Sequence, residues 1–184
     1  MVRTRVGYTG GTSRDPGYHN LGDHSESIQI DYDPNRISYG QLLEIFWASH
    51  NPVTEYRPRQ YASFIFYHDH QQKAEAVLSK ERSEAEYGGK LYTRIVPFSI
   101  FYVAEDYHQK YYLQQEPALF KEFSAIYPQF DRLVGSTASA RVNGYLAGYG
   151  TDDELRVNVP KLGLSPSGIQ KLLELRSRMP VRCA

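Results

Sequence analysis

The chain has 184 residues, 41% of them hydrophobic, which is enough to bury the core of one domain of ordinary size. Lys and Arg together number 21, as do Asp and Glu, so the composition lacks the excess of basic residues that is typical of nucleic-acid-binding proteins. No apolar run approaches the roughly 18 residues of a membrane span, and the first five residues lack a secretory signal pattern. Since a single cysteine excludes an internal disulfide framework, we expect a cytoplasmic protein.

Alternating hydrophobicity and turn residues predict strands and helices over the first two thirds of the chain. Ser38 is a suitable N-cap for the first helix, which Asn51-Pro52 ends. Asp69 is placed to cap a longer polar helix, which Gly88-Gly89 ends. The predicted elements are strands over 2–8 and 28–32, a helix over 39–50, a strand over 62–67, a helix over 70–86, a strand over 91–96 and a helix over 104–113.

The last third of the chain is predicted to be helical. After Pro117 the pattern of apolar residues becomes helical. A small helical element then ends in a turn at Gly150, and Ser165-Pro166 begins the last helix. This order of elements predicts a mixed α/β (α+β) domain in which helices cover a mixed sheet. We expect that domain to span residues 1–115 and a helical C-terminal extension to span residues 116–184.

Four short segments contain residues that are typical of a catalytic or binding site rather than of the structural core. They are Gly7-Tyr8-Thr9-Gly10-Gly11, Gly22-Asp23-His24-Ser25-Glu26, Gln60-Tyr61-Ala62-Ser63 and Ala104-Glu105-Asp106-Tyr107-His108-Gln109. Together with Tyr32-Asp33-Pro34 and Ile37-Ser38-Tyr39, they resemble the A-type peptide-methionine sulfoxide reductases in order and approximate spacing. One such motif is weak, whereas six in the same order are specific, and they cover residues 2 to about 113.

The resemblance implies a fold and a reaction. The fold is a ferredoxin-like α/β sandwich, here without its first strand and helix. A cysteine thiolate attacks the sulfur of methionine-S-sulfoxide, free or in a peptide, and the products are methionine and a cysteine sulfenic acid. A second thiol resolves the sulfenic acid, and thioredoxin or another thiol reductant restores the enzyme. The resemblance implies no cofactor and no metal, and we expect a monomer with no nucleic-acid or membrane partner.

The resemblance also assigns site residues. Glu26 corresponds to the family's acid, and Tyr8 and Tyr61 correspond to its two tyrosines. Burial raises the pKa of a carboxylic acid, and a neutral acid can donate a hydrogen bond to sulfoxide oxygen and deliver a proton. Two phenols can hold that oxygen without competing as nucleophiles. His108, next to Asp106, is expected in the pocket wall as a substrate-binding or structural histidine.

The sequence departs from the family pattern at the nucleophile. The Gly-Cys-Phe-Trp-Gly motif is not found, and we expect it to precede Met1. Phe46-Trp47 has no cysteine before it and is expected in the core. Cys183 is either a resolving thiol or incidental, because nothing near it would activate it as the nucleophile.

Two functional hypotheses stay open at this point. The chain is a methionine sulfoxide reductase that is inactive as given because its nucleophilic cysteine is absent. Alternatively, it is a non-catalytic truncated isoform or pseudoenzyme that binds methionine sulfoxide or a protein partner.

Overall fold

The structure, a computed structural model, describes residues 2–55 and 59–179 and confirms the predicted mixed α/β class. It divides into two compact units. The first, here called the sheet unit, comprises residues Val6–Ala104, and the second, the helical unit, comprises Met1–Arg5 and Glu105–Ala184. None of the helices in the described ranges is long and apolar enough to cross a membrane.

The described strands form two separate sheets. A three-stranded sheet has the order β2-β1-β5, and a two-stranded sheet pairs β3 with β4. β1 runs antiparallel to β5, with Gly7 opposite Val103, and β3 runs parallel to β4, with Phe64 opposite Arg94. In the described part of the chain, β2 and β3 are therefore edge strands with a strand neighbour on one side. The strands are β1 (Arg3–Thr9), β2 (Ser25–Asp31), β3 (Phe64–Tyr67), β4 (Arg94–Pro97) and β5 (Phe101–Val103).

Two helices of the sheet unit begin and end where local signals predict. Helix α1 (Tyr39–Ala48) starts with a capping box, in which the Ser38 hydroxyl accepts from the backbone N–H of Gln41. Helix α2 (His70–Tyr87) is capped by the Asp69 side chain and ends at a left-handed Gly88. The core of this unit joins the two helices to β3 and the segment before β4 through Leu43, Trp47, Ile65, Ala76 and Leu91. The predicted core position of Trp47 is thus confirmed.

The helical unit is built around one apolar core. Its helices are α3 (Tyr111–Gln114), α4 (Pro117–Ile126), α5 (Phe130–Gly135), α6 (Thr137–Leu146), α7 (Asp152–Asn158) and α8 (Pro166–Ser177). Phe123 and Leu172 are fully buried in that core, and Arg176 is buried beside it. The Arg176 guanidinium donates a hydrogen bond of 2.6 Å to the carbonyl of Gly150, so α8 is fastened to the turn that precedes α7.

The predicted helix over Ala104–Leu113 is wrong. Phe101–Val103 forms β5, Asp106–His108 forms one 3-10 turn, and the α-helix begins only at Tyr111. β5 exists because it pairs with β1, a partner more than ninety residues away that local periodicity cannot reveal. The helical pattern is also interrupted at Lys110, whose φ of 48° is left-handed.

Lys110 is a buried cation that holds the N-terminal residues to the helical unit. Its ammonium donates hydrogen bonds to the carbonyl and to the hydroxyl of Thr4, at 2.6 and 3.0 Å. Burial, followed by the nearby charge of Arg5, lowers the pKa of Lys110 to about 8. The ammonium form is therefore less stable in the folded protein than in the unfolded chain.

We expect the free energy of unfolding to rise between pH 8 and pH 10. Folded Lys110 loses its proton near pH 8, whereas the unfolded chain keeps it to about pH 10.5, so the unfolded state binds more protons in this window. The rise is about 2–3 kcal/mol, measured by urea unfolding at several pH values. Above pH 10, Tyr39 acts in the opposite direction and lowers the free energy of unfolding as the pH rises. Burial raises the pKa of Tyr39 to about 12, so the folded protein keeps this proton to a higher pH than the unfolded chain does.

The variant Lys110→Met removes the titrating group and is expected to flatten this rise. Lys121→Met, at an exposed lysine on α4, is the matched control and keeps the rise. A rise of equal size in Lys110→Met would contradict the assignment.

Candidate functional site

A single carboxylate organises the glycine-rich loop that follows β1. The Asp23 side chain accepts hydrogen bonds from the backbone N–H and the hydroxyl of both Thr12 and Ser13, at 2.8–3.0 Å. These donors, with the backbone N–H of Ser13 the largest contributor and that of Thr12 next, hold the pKa of Asp23 well below its usual range. The loop therefore closes on the ionised carboxylate.

His24, whose side chain is buried, also forms hydrogen bonds to this loop. The backbone N–H of Gly11 donates to His24 Nδ1 at 3.2 Å, and Nε2 lies 2.8 Å from the carbonyl of Ser13. An amide only donates and a carbonyl only accepts, so the imidazole is neutral with its proton on Nε2. Both ring nitrogens of this fully buried side chain bond to backbone, so His24 is a structural residue here.

The two glycines of the loop are required by close contacts. A Cβ at Gly11 would lie 2.5 Å from Asp23 Oδ1 and 2.7 Å from the His24 ring. Gly10 has a φ of 81°, and a Cβ there would lie 2.7 Å from the Phe66 ring. The close contact of the backbone with these side chains therefore explains the Gly-Gly pair, and a phosphate-binding role is not needed to explain it.

Glu26 and Tyr61 line one cleft of about 540 Å³ in the sheet unit. Glu26 lies at the start of β2, and Tyr61 lies in a 3-10 turn over Arg59–Tyr61 that precedes β3. The side-chain amide of Gln60 donates to Glu26 Oε1 at 3.0 Å, which joins the turn to the strand. The structure thus brings together two of the predicted site residues, which are 35 positions apart in the chain.

Glu26 and Tyr61 are both accessible to water. Glu26 is exposed in this structure, and Tyr61 is 53% exposed. Both side chains stand at the wall of the open cleft, where the described residues leave them accessible to water. The physical reason is that the cleft lies between two edge strands, so one side of each residue faces open space.

Tyr8 occupies a different environment from Glu26 and Tyr61. It is 2% exposed and packs in a small core cluster with Leu21 and Ala104, flanked by Val6 and Tyr102. It does not belong to the lining of the cleft. Its role as a second phenol at the sulfoxide oxygen stays a prediction.

Two further predicted residues lie elsewhere. His108 is in the 3-10 turn of the helical unit and is partly buried. Cys183, the candidate resolving thiol, lies outside the described residues. Among the residues that the structure describes, no three His, Cys, Asp or Glu side chains are grouped as a metal site requires.

A hydrogen-bond chain that the sequence did not reveal supports one wall of the cleft. His50 Nδ1 donates to the carbonyl of Phe46 at 2.8 Å, and Nε2 forms a hydrogen bond with the Ser63 hydroxyl at 2.9 Å. The Ser63 hydroxyl forms a second hydrogen bond, with the Thr93 hydroxyl at 2.9 Å. These hydrogen bonds connect Ser63, which lies two residues after Tyr61 and directly before β3, to the end of α1. No local signal in the sequence indicates this contact, because it joins three distant segments.

Replacing Asp23 with Asn is expected to loosen the loop. The neutral amide cannot accept four hydrogen bonds as a carboxylate does, so exchange of the Thr12 and Ser13 amides accelerates and the melting temperature falls. In the unmodified protein this stabilisation is present above the unfolded pKa of 3.8 and is lost as the pH falls below it. Hydrogen exchange and thermal melts measure both effects.

Asp15→Asn is the matched control for this prediction. Asp15 is an exposed carboxylate in the same loop with a left-handed φ of 49°, which Asn also tolerates. Equal exchange rates in the Asp23→Asn and Asp15→Asn variants would show that Asp23 does not organise the loop.

Comparison with known proteins places this chain in a family. The family model described as peptide methionine sulfoxide reductase matches residues 1–137. A peptide methionine sulfoxide reductase of Drosophila melanogaster is 41% identical over 169 residues, 91% of this chain and 68% of the relative. Peptide methionine sulfoxide reductase A5 of Oryza sativa subsp. japonica is 40% identical over 153 residues, 80% of this chain and 59% of the relative.

A solved structure agrees with these sequence matches. Methionine sulfoxide reductase A of Corynebacterium diphtheriae superimposes with a TM-score of 0.56 at 30% identity, over 62% of this chain and 63% of that chain. This chain thus spans between 59% and 68% of the length of these three relatives. The extent of the family match and the 41% identity to the Drosophila melanogaster relative lead to one conclusion: this chain belongs to the peptide methionine sulfoxide reductase family of enzymes.

Proposed function

We propose that the sheet unit holds the oxygen-binding half of a methionine-S-sulfoxide site. Glu26 and Tyr61 form it, with Tyr8 as a further phenol. The observation that carries the proposal is that Glu26 and Tyr61, from separate elements, line one cleft and are joined through Gln60. Membership of the reductase family supplies the substrate class.

The chemistry of a sulfoxide explains why this pair is suited to it. Sulfoxide oxygen is a strong acceptor and leaves only once it is protonated. The Tyr61 hydroxyl donates a hydrogen bond to that oxygen and fixes its position, and the Glu26 carboxyl in its neutral form donates a second bond and then the proton. A carboxyl group favours its neutral form when an occupant of the cleft removes water from it.

The sulfur-attacking half of the reaction requires a thiolate. In the family reaction the thiolate sulfur bonds to the sulfoxide sulfur, the oxygen passes to the cysteine as a sulfenic acid, and methionine leaves. A second thiol and then thioredoxin, or another thiol reductant, return the cysteine to its thiol form. The 184 residues contain one cysteine, Cys183, and no Gly-Cys-Phe-Trp-Gly motif.

The single cysteine favours a second candidate function for the chain as given. In this alternative the chain binds methionine sulfoxide or a protein partner without turnover. In either case residues 1–115 form the reductase-like domain, related to a ferredoxin-like sandwich, and residues 116–184 are its helical extension. We place the protein in the cytoplasm, since its single cysteine favours a reducing compartment, and we expect a monomer.

The 184-residue chain is expected to show no turnover of methionine-S-sulfoxide with dithiothreitol. The measurement is methionine release from the free and the peptide-bound sulfoxide over hours, with Cys183→Ser as the matched control. Release above the thiol-only background that disappears in Cys183→Ser would show that Cys183 is the nucleophile and would overturn this expectation.

Binding is expected to depend on Glu26 and Tyr61 even without turnover. Tyr61→Phe and Glu26→Ala each remove one hydrogen-bonding group, so the Kd for N-acetyl-methionine-S-sulfoxide amide rises about two- to tenfold. Glu26→Gln retains a donor and keeps most of the affinity. Calorimetric titration or NMR titration measures each Kd.

Two controls complete the binding experiment. Tyr87→Phe changes an exposed tyrosine on α2, outside the cleft, and leaves the Kd unchanged. The R-sulfoxide tests whether the site is stereospecific. If neither Tyr61→Phe nor Glu26→Ala changed the Kd, the assignment of the oxygen site to this cleft would fail.

A further inference from the structure

Ser63 is held in place through both its backbone and its side chain. Its carbonyl accepts from the N–H of Arg94 at 3.0 Å, and its hydroxyl forms hydrogen bonds of 2.9 Å with Thr93 Oγ1 and with His50 Nε2. A hydroxyl has one donor and two acceptor positions, so both contacts form at once. Thr93 is itself 1% exposed, and its carbonyl accepts from Lys80 Nζ on α2 at 2.9 Å. Ser63 is thus fixed to the strand beside it and, through that strand, to a helix.

The other partner of the Ser63 hydroxyl is oriented by the core of the sheet unit. The centroid of the His50 ring lies 4.7 Å from that of Phe46 and 6.4 Å from that of Trp47, on which it stacks. His50 Nδ1 also donates to the Phe46 carbonyl at 2.8 Å. Trp47 is buried in the core cluster. Packing and one hydrogen bond therefore fix the direction in which Nε2 points.

Tyr61 lies in a short turn that is anchored on both sides. Arg59–Tyr61 forms one 3-10 turn, whose hydrogen-bond geometry is poorer than that of an α-helix. The Tyr61 side chain is 53% exposed, so its own packing fixes it only in part. On one side the amide of Gln60 donates to Glu26, and on the other Ser63 follows after a single residue. A displacement of Ser63 therefore moves the phenol.

We propose that Ser63 and His50 are positioning residues for the Tyr61 phenol. The core fixes the His50 ring, the ring fixes Ser63, and Ser63 fixes the backbone that carries Tyr61. This inference rests on the proposed function, in which the Tyr61 hydroxyl donates to sulfoxide oxygen. A group that holds a reacting oxygen has to be placed within about 0.5 Å, and a half-exposed side chain reaches that precision only when its backbone is held.

Removing the Ser63 hydroxyl is expected to weaken binding. In Ser63→Ala the Kd for N-acetyl-methionine-S-sulfoxide amide rises about two- to tenfold, measured by calorimetric titration. Ser79→Ala is the matched control, since the Ser79 hydroxyl also joins two elements: it accepts from Trp47 Nε1 at 3.1 Å and donates to the Ala76 carbonyl at 2.8 Å. Its loss lowers stability and leaves the Kd unchanged, and circular dichroism verifies that both variants fold. An equal rise of the Kd in both variants would overturn the proposal.

A double-mutant cycle shows whether Ser63 acts through Tyr61. Two residues that act through the same contact have non-additive effects, so Ser63→Ala in a Tyr61→Phe background raises the Kd by less than about 1.5-fold. If Ser63→Ala raised the Kd by its full factor in that background, Ser63 would act independently of the phenol and the proposal would fail.

Two replacements of His50 separate its two hydrogen bonds. His50→Gln places an amide near the position of Nε2, where it bonds to Ser63, whereas His50→Asn places one near Nδ1, where it bonds only to the Phe46 carbonyl. We expect His50→Gln to keep most of the affinity and His50→Asn to raise the Kd as Ser63→Ala does. A general loss of packing would affect both variants alike, and equal Kd values in the two would contradict the positioning role.

A measurement without ligand separates this inference from the proposed function. NMR spectra of protein with labelled tyrosine rings report the surroundings of Tyr61 directly. Ser63→Ala shifts the Tyr61 ring resonances, and Ser79→Ala leaves them in place. If Tyr61→Phe left the Kd unchanged, the proposed function would fail, whereas unchanged Tyr61 resonances in Ser63→Ala would overturn the positioning itself.

Discussion

The pairing of strand edges is the constraint on which the rest of the sheet unit depends. A backbone N–H or C=O at an edge needs a neighbouring strand or water, and β2 and β3 each have a strand on one side in the described chain. The space between them is the cleft that holds Glu26 and Tyr61. The exposure of both residues follows directly, because the side of each that faces the cleft has no strand against it.

The loop after β1 is closed by side chains of its own segment. Asp23 and His24 close it through side-chain contacts to Thr12, Ser13 and Gly11, all within a stretch of 14 residues. Short loop closure costs little conformational entropy, and each partner is a charged or buried group that bonds strongly. The sheet unit therefore combines a loop closed by its own side chains with an open cleft.

Local signals predicted the helices of this unit, whereas long-range pairing determined what the sequence could not predict. The capping residue Ser38 and the terminator Gly88 located α1 and α2 because each acts within one helical turn. β5 was missed because it has three residues and depends on β1 for its existence. The resemblance named Glu26 and Tyr61, but the exposure of Glu26 depends on what lies across the cleft, and no pattern within β2 encodes that.

The openness of the cleft bears on the chemistry proposed for it. A neutral carboxyl group is required to protonate a sulfoxide, and removal of water is what favours the neutral form. Glu26 stands at the start of β2 on the wall of the cleft, so an occupant of the cleft would also take water from the carboxyl. Tyr61 lies at the other wall, directly before β3, and the contacts of Ser63 hold that wall in place. The proposed acid and the proposed phenol therefore belong to one cleft, and both are reached from its open side.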